Sequence, residues 1–389
     1  MKVFFSDLHL SDTYEPNEIN YPLNFDLFLE DIEARYERQG RDSGLELIIL
    51  GDFLDLLRPN VVDKAAHIEN IFFNKPRNEK IIKALRRFSE KHSIIYVIGN
   101  HDRYLFNDDD GRMRKVIQRH IHIPDENFRI CYYNEPLGIW AEHGNHYDMI
   151  NRFVDFPLNL VPPLGEYFIT DVIHKLKNIR GLEEIFTIRP LSALPDWLKY
   201  KKIDSRIWLT PYLELRKSAK FMQWYQLARP EQSSILNRLL FTLSGVKPVL
   251  SLVTDYYVGF RGIIEMVHDF KSAYHKTAQN IFTNNLEKHK PPYMEFLLPD
   301  PEQYKRLRVI VMGHTHFPDG RSFADSAHKN ELKYYFNTGT WQMILEPAVR
   351  YLNSAERHEM LRRYELCYLV IYDYQDEIKR TELWNGVMI

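Results

Sequence analysis

Asp7, His9, Asp52, Asn100, His143, His314 and His316 offer carboxylate, imidazole and amide-oxygen donors. Such donors hold divalent cations of intermediate hardness, and no thiolate is among them. The set suits Mn, Fe, Zn or Co, and donor softness does not choose between these. Seven donors exceed what one open catalytic ion needs. Two ions sharing one carboxylate would use them all. In Asp7-Leu8-His9 and His314-Thr315-His316 one residue separates the two donors. On an extended strand alternate side chains share a face, so each pair is expected to point into one site.

The elements that must position these residues are short apolar runs. Val3-Phe4-Phe5 precedes Ser6-Asp7-Leu8-His9, and Leu47-Ile48-Ile49-Leu50 precedes Gly51-Asp52-Phe53-Leu54-Asp55. Ser93 to Val97 precedes Gly99-Asn100-His101-Asp102, Gly138-Ile139-Trp140 precedes Glu142-His143-Gly144, and Val309 to Met312 precedes Gly313-His314-Thr315-His316. Apolar runs closed by turn residues read as buried strands, and ligands gather beyond the carboxyl ends of such strands. Any one of these motifs alone is ordinarily a turn. Five in one chain, each after an apolar run, point to one site assembled from five pieces. Tyr334-Tyr335-Phe336-Asn337-Thr338-Gly339-Thr340-Trp341 is a further strand with a polar end. His67, His92, His120, His122, His174 and His275 lack this context and read as surface or helix residues.

Between the runs, Tyr21 to Gln39 and Glu79 to Lys91 carry apolar stripes at helical spacing. Strand and helix therefore alternate, and the expected fold class is α/β with a largely parallel core. Phe128 to Tyr133 and Gly138 to Ala141 read as paired strands, and Leu366 to Tyr374 and Lys379 to Trp384 as a closing hairpin around Gln375-Asp376. Asp108-Asp109-Asp110-Gly111 reads as a solvated turn, because it lacks the terminal Glu of a calcium loop. From 149 to 305 strand runs give way to helical windows punctuated by proline. The expected organisation is one domain from 1–148 and 306–389, with 149–305 as a mostly helical insertion or cap.

The 389 residues have a formal net charge of −2, which selects no class of partner. That balance hides an asymmetry. The 149–305 segment has 21 Lys and Arg against 16 Asp and Glu, and the remainder is acidic. Lys199 to Lys220 mixes basic residues with Tyr200, Trp208 and Tyr212. The two cysteines, Cys131 and Cys367, lie in apolar surroundings and read as buried free thiols, which favours a reducing compartment. A cleaved leader would remove the Asp7 cluster, and no window reaches the ~20 apolar residues of a spanning helix. The expected location is cytoplasmic, with peripheral contact at the inner face of a membrane left open.

At these motifs the chain resembles the calcineurin-like metallophosphoesterase superfamily. Asp7-x-His9, Gly51-Asp52-x-x-Asp55, Gly99-Asn100-His101-Asp102, His143-Gly144 and Gly313-His314-Thr315-His316 carry the resemblance. It implies an αββα sandwich with a dinuclear centre, with manganese as the first expectation. One ion would take Asp7, His9, Asp52 and His316; the other would take Asp52, Asn100, His143 and His314. A water or hydroxide between them would attack phosphorus. His101 matches the family histidine near the leaving group, where it could donate a proton, and Asp55 the carboxylate that orients it. Asp102 reads as support for its own loop.

Leu56 and Asp102 depart from the protein Ser/Thr phosphatase pattern. Ser6-Asp7-Leu8-His9-Leu10, Glu142-His143-Gly144 and Gly313-His314-Thr315-His316-Phe317-Pro318 are similar to the UDP-diacylglucosamine hydrolases, which cleave a pyrophosphate. Those enzymes usually carry Arg where this chain has His101. Nucleases and broad phosphodiesterases commonly carry Gly-Asn-His-Asp. The expected substrate is a phosphate ester, nucleotide-linked or lipid-like. Nucleic acid and cyclic nucleotides are the alternative, and a non-catalytic metal-binding scaffold is the remaining class. A basic, aromatic insertion suits either an anionic lipid-like substrate or stacked bases.

Overall fold

In the computed structural model of the chain, the apolar runs build two sheets. The structure describes residues 1–12, 25–40, 44–57, 63–148, 151–153, 161–167, 301–324, 332–341, 343–347 and 360–388. The chain divides into two compact units: Met1–Asn145, His275–Ile344 and Arg363–Ile389 form one, and His146–Tyr274 with Leu345–Arg362 the other. The expected helical windows of 149–305 lie outside the described residues, as does the basic 199–220 stretch.

The strands in chain order are β1 (Lys2–Phe5), β2 (Glu46–Leu50), β3 (Ser93–Val97), β4 (Phe128–Arg129), β5 (Cys131–Asn134), β6 (Ile139–Glu142), β7 (Val309–Met312), β8 (Pro318–Ala324), β9 (Leu332–Thr338), β10 (Met343–Pro347), β11 (Met360–Tyr374) and β12 (Glu377–Met388). The first sheet runs β10-β11-β1-β2-β3-β4, with β12 also on β11. The second runs β5-β6-β7-β9-β8. Both are mixed. β1 to β4 are parallel, as are β6, β7 and β9, while β11, β12, β5 and β8 pair antiparallel.

Register explains why these runs are apolar at every position. Val3, Leu47 and Ile94 form one row across β1, β2 and β3, and Phe4, Ile48 and Ile95 the next. Successive side chains leave opposite faces of a sheet. The first row packs under four helices: α1 (Phe25–Arg38), α2 (Lys64–Phe73), α3 (Pro76–Ser89) and α4 (Arg112–Ile121). The second row faces Ile139, Ala141, Val309, Val311 and Phe336 of the other sheet. Each strand is therefore buried on both sides.

α1 and α3 fall on the two apolar stripes, and α1 buries Phe25, Phe28, Leu29 and Ile32. α2 and α4 are additional to the expected elements, and each starts at a carboxylate. Asp63 Oδ1 accepts the Ala65 and Ala66 amides at 3.0 and 3.1 Å. Asp108 accepts the Met113 and Arg114 amides at 3.2 and 2.7 Å, so the triple-Asp turn spends its first carboxylate on a helix end. One expected pairing is corrected. The Phe128 to Tyr133 run divides, with β4 joining β3 in the first sheet and β5 joining β6 in the second. The closing hairpin forms as expected, with Gln375 and Asp376 both at positive φ, 49° and 58°.

Cys131 and Cys367 are free and buried. Burial, with Glu142 adding to it, pushes the Cys131 thiol up. A raised thiol pKa means less thiolate, the species that alkylates. Iodoacetamide at pH 8 is expected to leave both thiols intact in the folded chain and to label both in denaturant. Mass spectrometry reads the result, and labelling of Cys131 in the folded protein at the rate of a free thiol would contradict the packing. No helix among the described residues is long and apolar enough to cross a membrane.

Candidate metal centre

The candidate residues all follow carboxyl ends of parallel strands: Asp7 after β1, Asp52 after β2, Asn100 after β3, His143 after β6, and His314 and His316 after β7. Beyond the strands the loops stay tied together. The His9 and Leu10 amides donate to the Asp52 and Phe53 carbonyls at 2.8 Å each, and the Asp55 amide returns to the Leu10 carbonyl at 2.9 Å. The Gly313 amide donates to the His143 carbonyl at 2.9 Å, which ties the β6 and β7 loops.

Two groups of donors result. Asp7, His9 and His316 place ligand atoms within 4.8 Å of one another, and so do Asp52, His143 and His314. His9, Asp52 and His101 form a third, overlapping group. Asp52 is the hinge between the two sides. Its Oδ2 lies 3.2 Å from His143 Nε2 and 3.7 Å from His9 Nε2, while its Oδ1 accepts the His101 amide at 2.8 Å. Asn100 Oδ1 lies 3.0 Å from His143 Nε2, and His314 Nδ1 lies 3.2 Å from that same atom. His316 Nε2 lies 3.2 Å from Asp7 Oδ1 and 3.3 Å from His9 Nε2. All seven expected residues are thus brought together.

The way the pairs converge corrects the expected geometry. Asp7 and His9 are not extended: φ is 56° and 46°. His314 and His316 are at 67° and 60°, and Asp52 is at 51°. Five of the eight described non-glycine residues at positive φ are therefore candidate ligands. Each such conformation costs on the order of 1–3 kcal/mol and persists only where its surroundings impose it. Left-handed turns, rather than strand alternation, aim both members of each pair inward. Two glycines make room for this. A Cβ on Gly51 (φ +77°) would sit 2.7 Å from His143 Cγ, and one on Gly99 would sit 2.3 Å from Asp52 Oδ1.

The electrostatics of the site follow from burying two carboxylates among imidazoles. Burial pushes the Asp7 carboxyl up, but His143, His316 and His9 overcome it and hold the group well below the usual carboxylate range. Asp52 is likewise lowered, by His143 and His101 against burial. Burial lowers His9 to about 4, with His101 adding to it. His143 is raised to about 10, because Asp52 and Asp7 outweigh its burial. The Leu50 carbonyl accepts from His143 Nδ1 at 2.8 Å, which leaves Nε2 facing Asp52.

Asp102 supports its loop. It accepts the Gly99 amide at 2.6 Å, the Phe53 amide at 3.1 Å and the Tyr96 hydroxyl at 2.6 Å. Burial, with Asp52 adding to it, pushes the Asp102 carboxyl up to about 6. Asp55 Oδ1 lies 3.1 Å from His101 Nδ1, and the His101 ring stands edge-on to His9 at 4.5 Å. These two side chains keep 12% and 16% of their surface exposed, whereas Asp7, Asp52 and His143 keep 2% or less. His101 and Asp55 thus sit at the mouth of a buried donor cluster.

The donor set fits divalent cations. His9 Nδ1 and His316 Nδ1 are buried without a hydrogen-bond partner, a cost that natural sites rarely bear without a reason, and Asp7 Oδ1 faces the His316 and His9 Nε2 atoms at 3.2 and 3.6 Å. Carboxylate and amide oxygens and imidazole nitrogens converge at 3.0–3.7 Å. His67, His92, His120 and His122 lie outside these groups: His67 faces Asp12, His92 faces Glu33, His120 faces Glu69, and His122 ends α4. The motif reading passed over Asn337 and Thr340, which hydrogen-bond the Gly313 and Asp7 carbonyls. Their signal was an apolar run with a polar end, one that carries no His or carboxylate. No protein-family model matches the chain, and no curated protein matches it.

Proposed function

We propose that the chain is a dinuclear metal-dependent phosphoesterase of calcineurin-like αββα architecture that hydrolyses a phosphodiester or pyrophosphate bond. The observation that carries this reading is one buried carboxylate, Asp52, shared by two donor groups, with a carboxylate-oriented histidine at the mouth. Asp7, His9, Asp52 and His316 would hold one ion; Asp52, Asn100, His143 and His314 the other. Two divalent ions, manganese first, supply Lewis-acid polarisation of the phosphate oxygens and lower the pKa of water. His101 protonates the departing oxygen from the open side of the site. Asp55, accepting from His101 Nδ1, fixes the ring so that the other nitrogen faces the substrate. Asp102 holds the loop that carries Asn100 and His101 against the Asp52 loop. A nucleotide-linked or lipid-like ester is the proposed substrate, with the 149–305 segment as the cap that meets it.

The test is hydrolysis of an activated aryl phosphodiester by the full chain with and without Mn²⁺, followed by a panel. UDP-diacylglucosamine, simpler nucleotide diphosphate esters, cyclic nucleotides and single-stranded DNA make up the panel. Manganese-dependent release of the aryl alcohol is expected, with preference for the diphosphate esters. Preference for DNA or cyclic nucleotides would move the substrate to the nuclease side. A chain that stays inactive with added manganese would leave only a binding scaffold.

A further inference from the structure

The ligand turns after β1 and β7 adopt left-handed backbone conformations, which persist only where the surroundings hold them. Both are gripped from one place. At the carboxyl end of β9 and just past it the chain runs Asn337-Thr338-Gly339-Thr340-Trp341, and its polar groups are spent on the two turns. Asn337 Nδ2 donates to the Gly313 carbonyl at 2.8 Å, immediately before His314. Thr340 Oγ1 donates to the Asp7 carbonyl at 2.8 Å, and the Trp341 amide reaches that same oxygen at 3.3 Å. Thr338 Oγ1 shares a 2.7 Å hydrogen bond with Ser6 Oγ and lies 3.3 Å from the Met312 carbonyl. Asn337 Oδ1 accepts the Gly339 amide at 3.0 Å, which closes the segment on itself. Asn337, Thr338 and Thr340 are all 1% exposed or less.

The far end is anchored as well. Trp341 donates its indole N–H to the Cys367 carbonyl at 2.5 Å and packs on Phe5, Phe25 and Phe28 with ring centroids 4.9–5.8 Å apart. The segment thus spans from the aromatic core to both turns. It meets them on the backbone side, so its side chains are not themselves ligands. A direct link between the turns, the His314 amide to Asp7 Oδ2 at 2.9 Å, adds one contact to those the segment makes with both.

We propose that Asn337 to Thr340 is a strap that sets the separation and orientation of the Asp7–His9 and His314–His316 turns for metal ligation, with Thr340 and Asn337 as its positioning residues. The proposal rests on the two-ion reading above. It deepens that reading by placing part of the metal affinity in residues that touch no metal. Hydrogen-bonded supports of this kind typically govern about 10–100-fold in metal affinity.

The experiment uses the full chain and three variants. Thr340→Val removes the hydroxyl at constant shape, Thr340→Ser keeps it, and Asn337→Asp turns the donor to Gly313 into an acceptor. Mn²⁺ affinity is read by calorimetry below the melting temperature. Hydrogen exchange of peptides around residues 5–10 and 312–317 is read on metal-free protein. Thr340→Val and Asn337→Asp are expected to bind Mn²⁺ ~10–100-fold more weakly and to exchange faster at both turns. Thr340→Ser is expected to stay close to wild type. Unchanged affinity in both disruptive variants would overturn the strap, even if they melt earlier, and so would a Thr340→Ser as weak as Thr340→Val. If one disruptive variant fails to fold, the other decides; failure of all three would show a role in folding instead. A wild-type chain that bound no Mn²⁺ would overturn the phosphoesterase reading and the strap together. Two ions bound equally by all forms would overturn the strap alone.

Discussion

Asp52→Ala is expected to release both ions, not one. Asp52 Oδ2 lies within 4 Å of an imidazole nitrogen from each donor group, His143 at 3.2 Å and His9 at 3.7 Å. Removing it takes a ligand from each side at once. It also leaves the His101 amide without the oxygen that holds it at 2.8 Å. The drop in affinity should exceed the about 10–100-fold typical of losing a supporting residue, because a direct ligand is lost from both sides. Elemental analysis after dialysis reads this directly. Retention of one full equivalent would assign Asp52 to one side only.

His101→Ala is expected to keep both ions and lose rate. The side chain is partly exposed, oriented by Asp55, and its ring lies beside His9. Removing a general acid of this kind costs roughly 10²–10⁴-fold. The loss should be largest for poor leaving groups and should shrink as the leaving oxygen becomes a weaker base. A leaving-group series on wild type and variant, with metal content measured on the same samples, separates two roles. His101 also groups with His9 and Asp52 closely enough to ligate. Loss of an ion from the variant would make it a ligand, and equal rates across the series would remove it from catalysis.

The gathering of the donors was legible in the sequence because the motifs end strands, and strand ends at one edge of a sheet converge whatever lies between them; the sharing of Asp52 and the role of His101 came only from the family resemblance. Val3, Leu47 and Ile94 align in one row, so Asp7, Asp52 and Asn100 must emerge together. The backbone conformation of the turns was not legible. Asp7-Leu8-His9 reads as alternating strand, yet both Asp and His turn left-handed; Asp7 is bound by His314 and Thr340, 307 and 333 residues away, and the His9 amide by the Asp52 carbonyl. Phe128 to Tyr133 reads as one strand, but its two ends find partners in different sheets, and pairing partners are long-range facts. α2 was missed although Asp63 caps it, because the stretch after the cap carries a weaker apolar stripe than α1; α4 was missed because its short stripe, Val116, Ile117 and Ile121, lies in a strongly basic stretch behind the triple-Asp turn. Asn337 and Thr340 were passed over because amide and hydroxyl groups that serve a neighbouring backbone resemble any polar turn.

Anomalous diffraction from crystals of the manganese-loaded chain would locate the ions on these donors. Two peaks are expected, one on either side of the Asp52 carboxylate: one against Asp7, His9 and His316, the other against Asn100, His143 and His314. A single peak, or peaks that leave Asp52 outside both coordination shells, would contradict the two-ion reading.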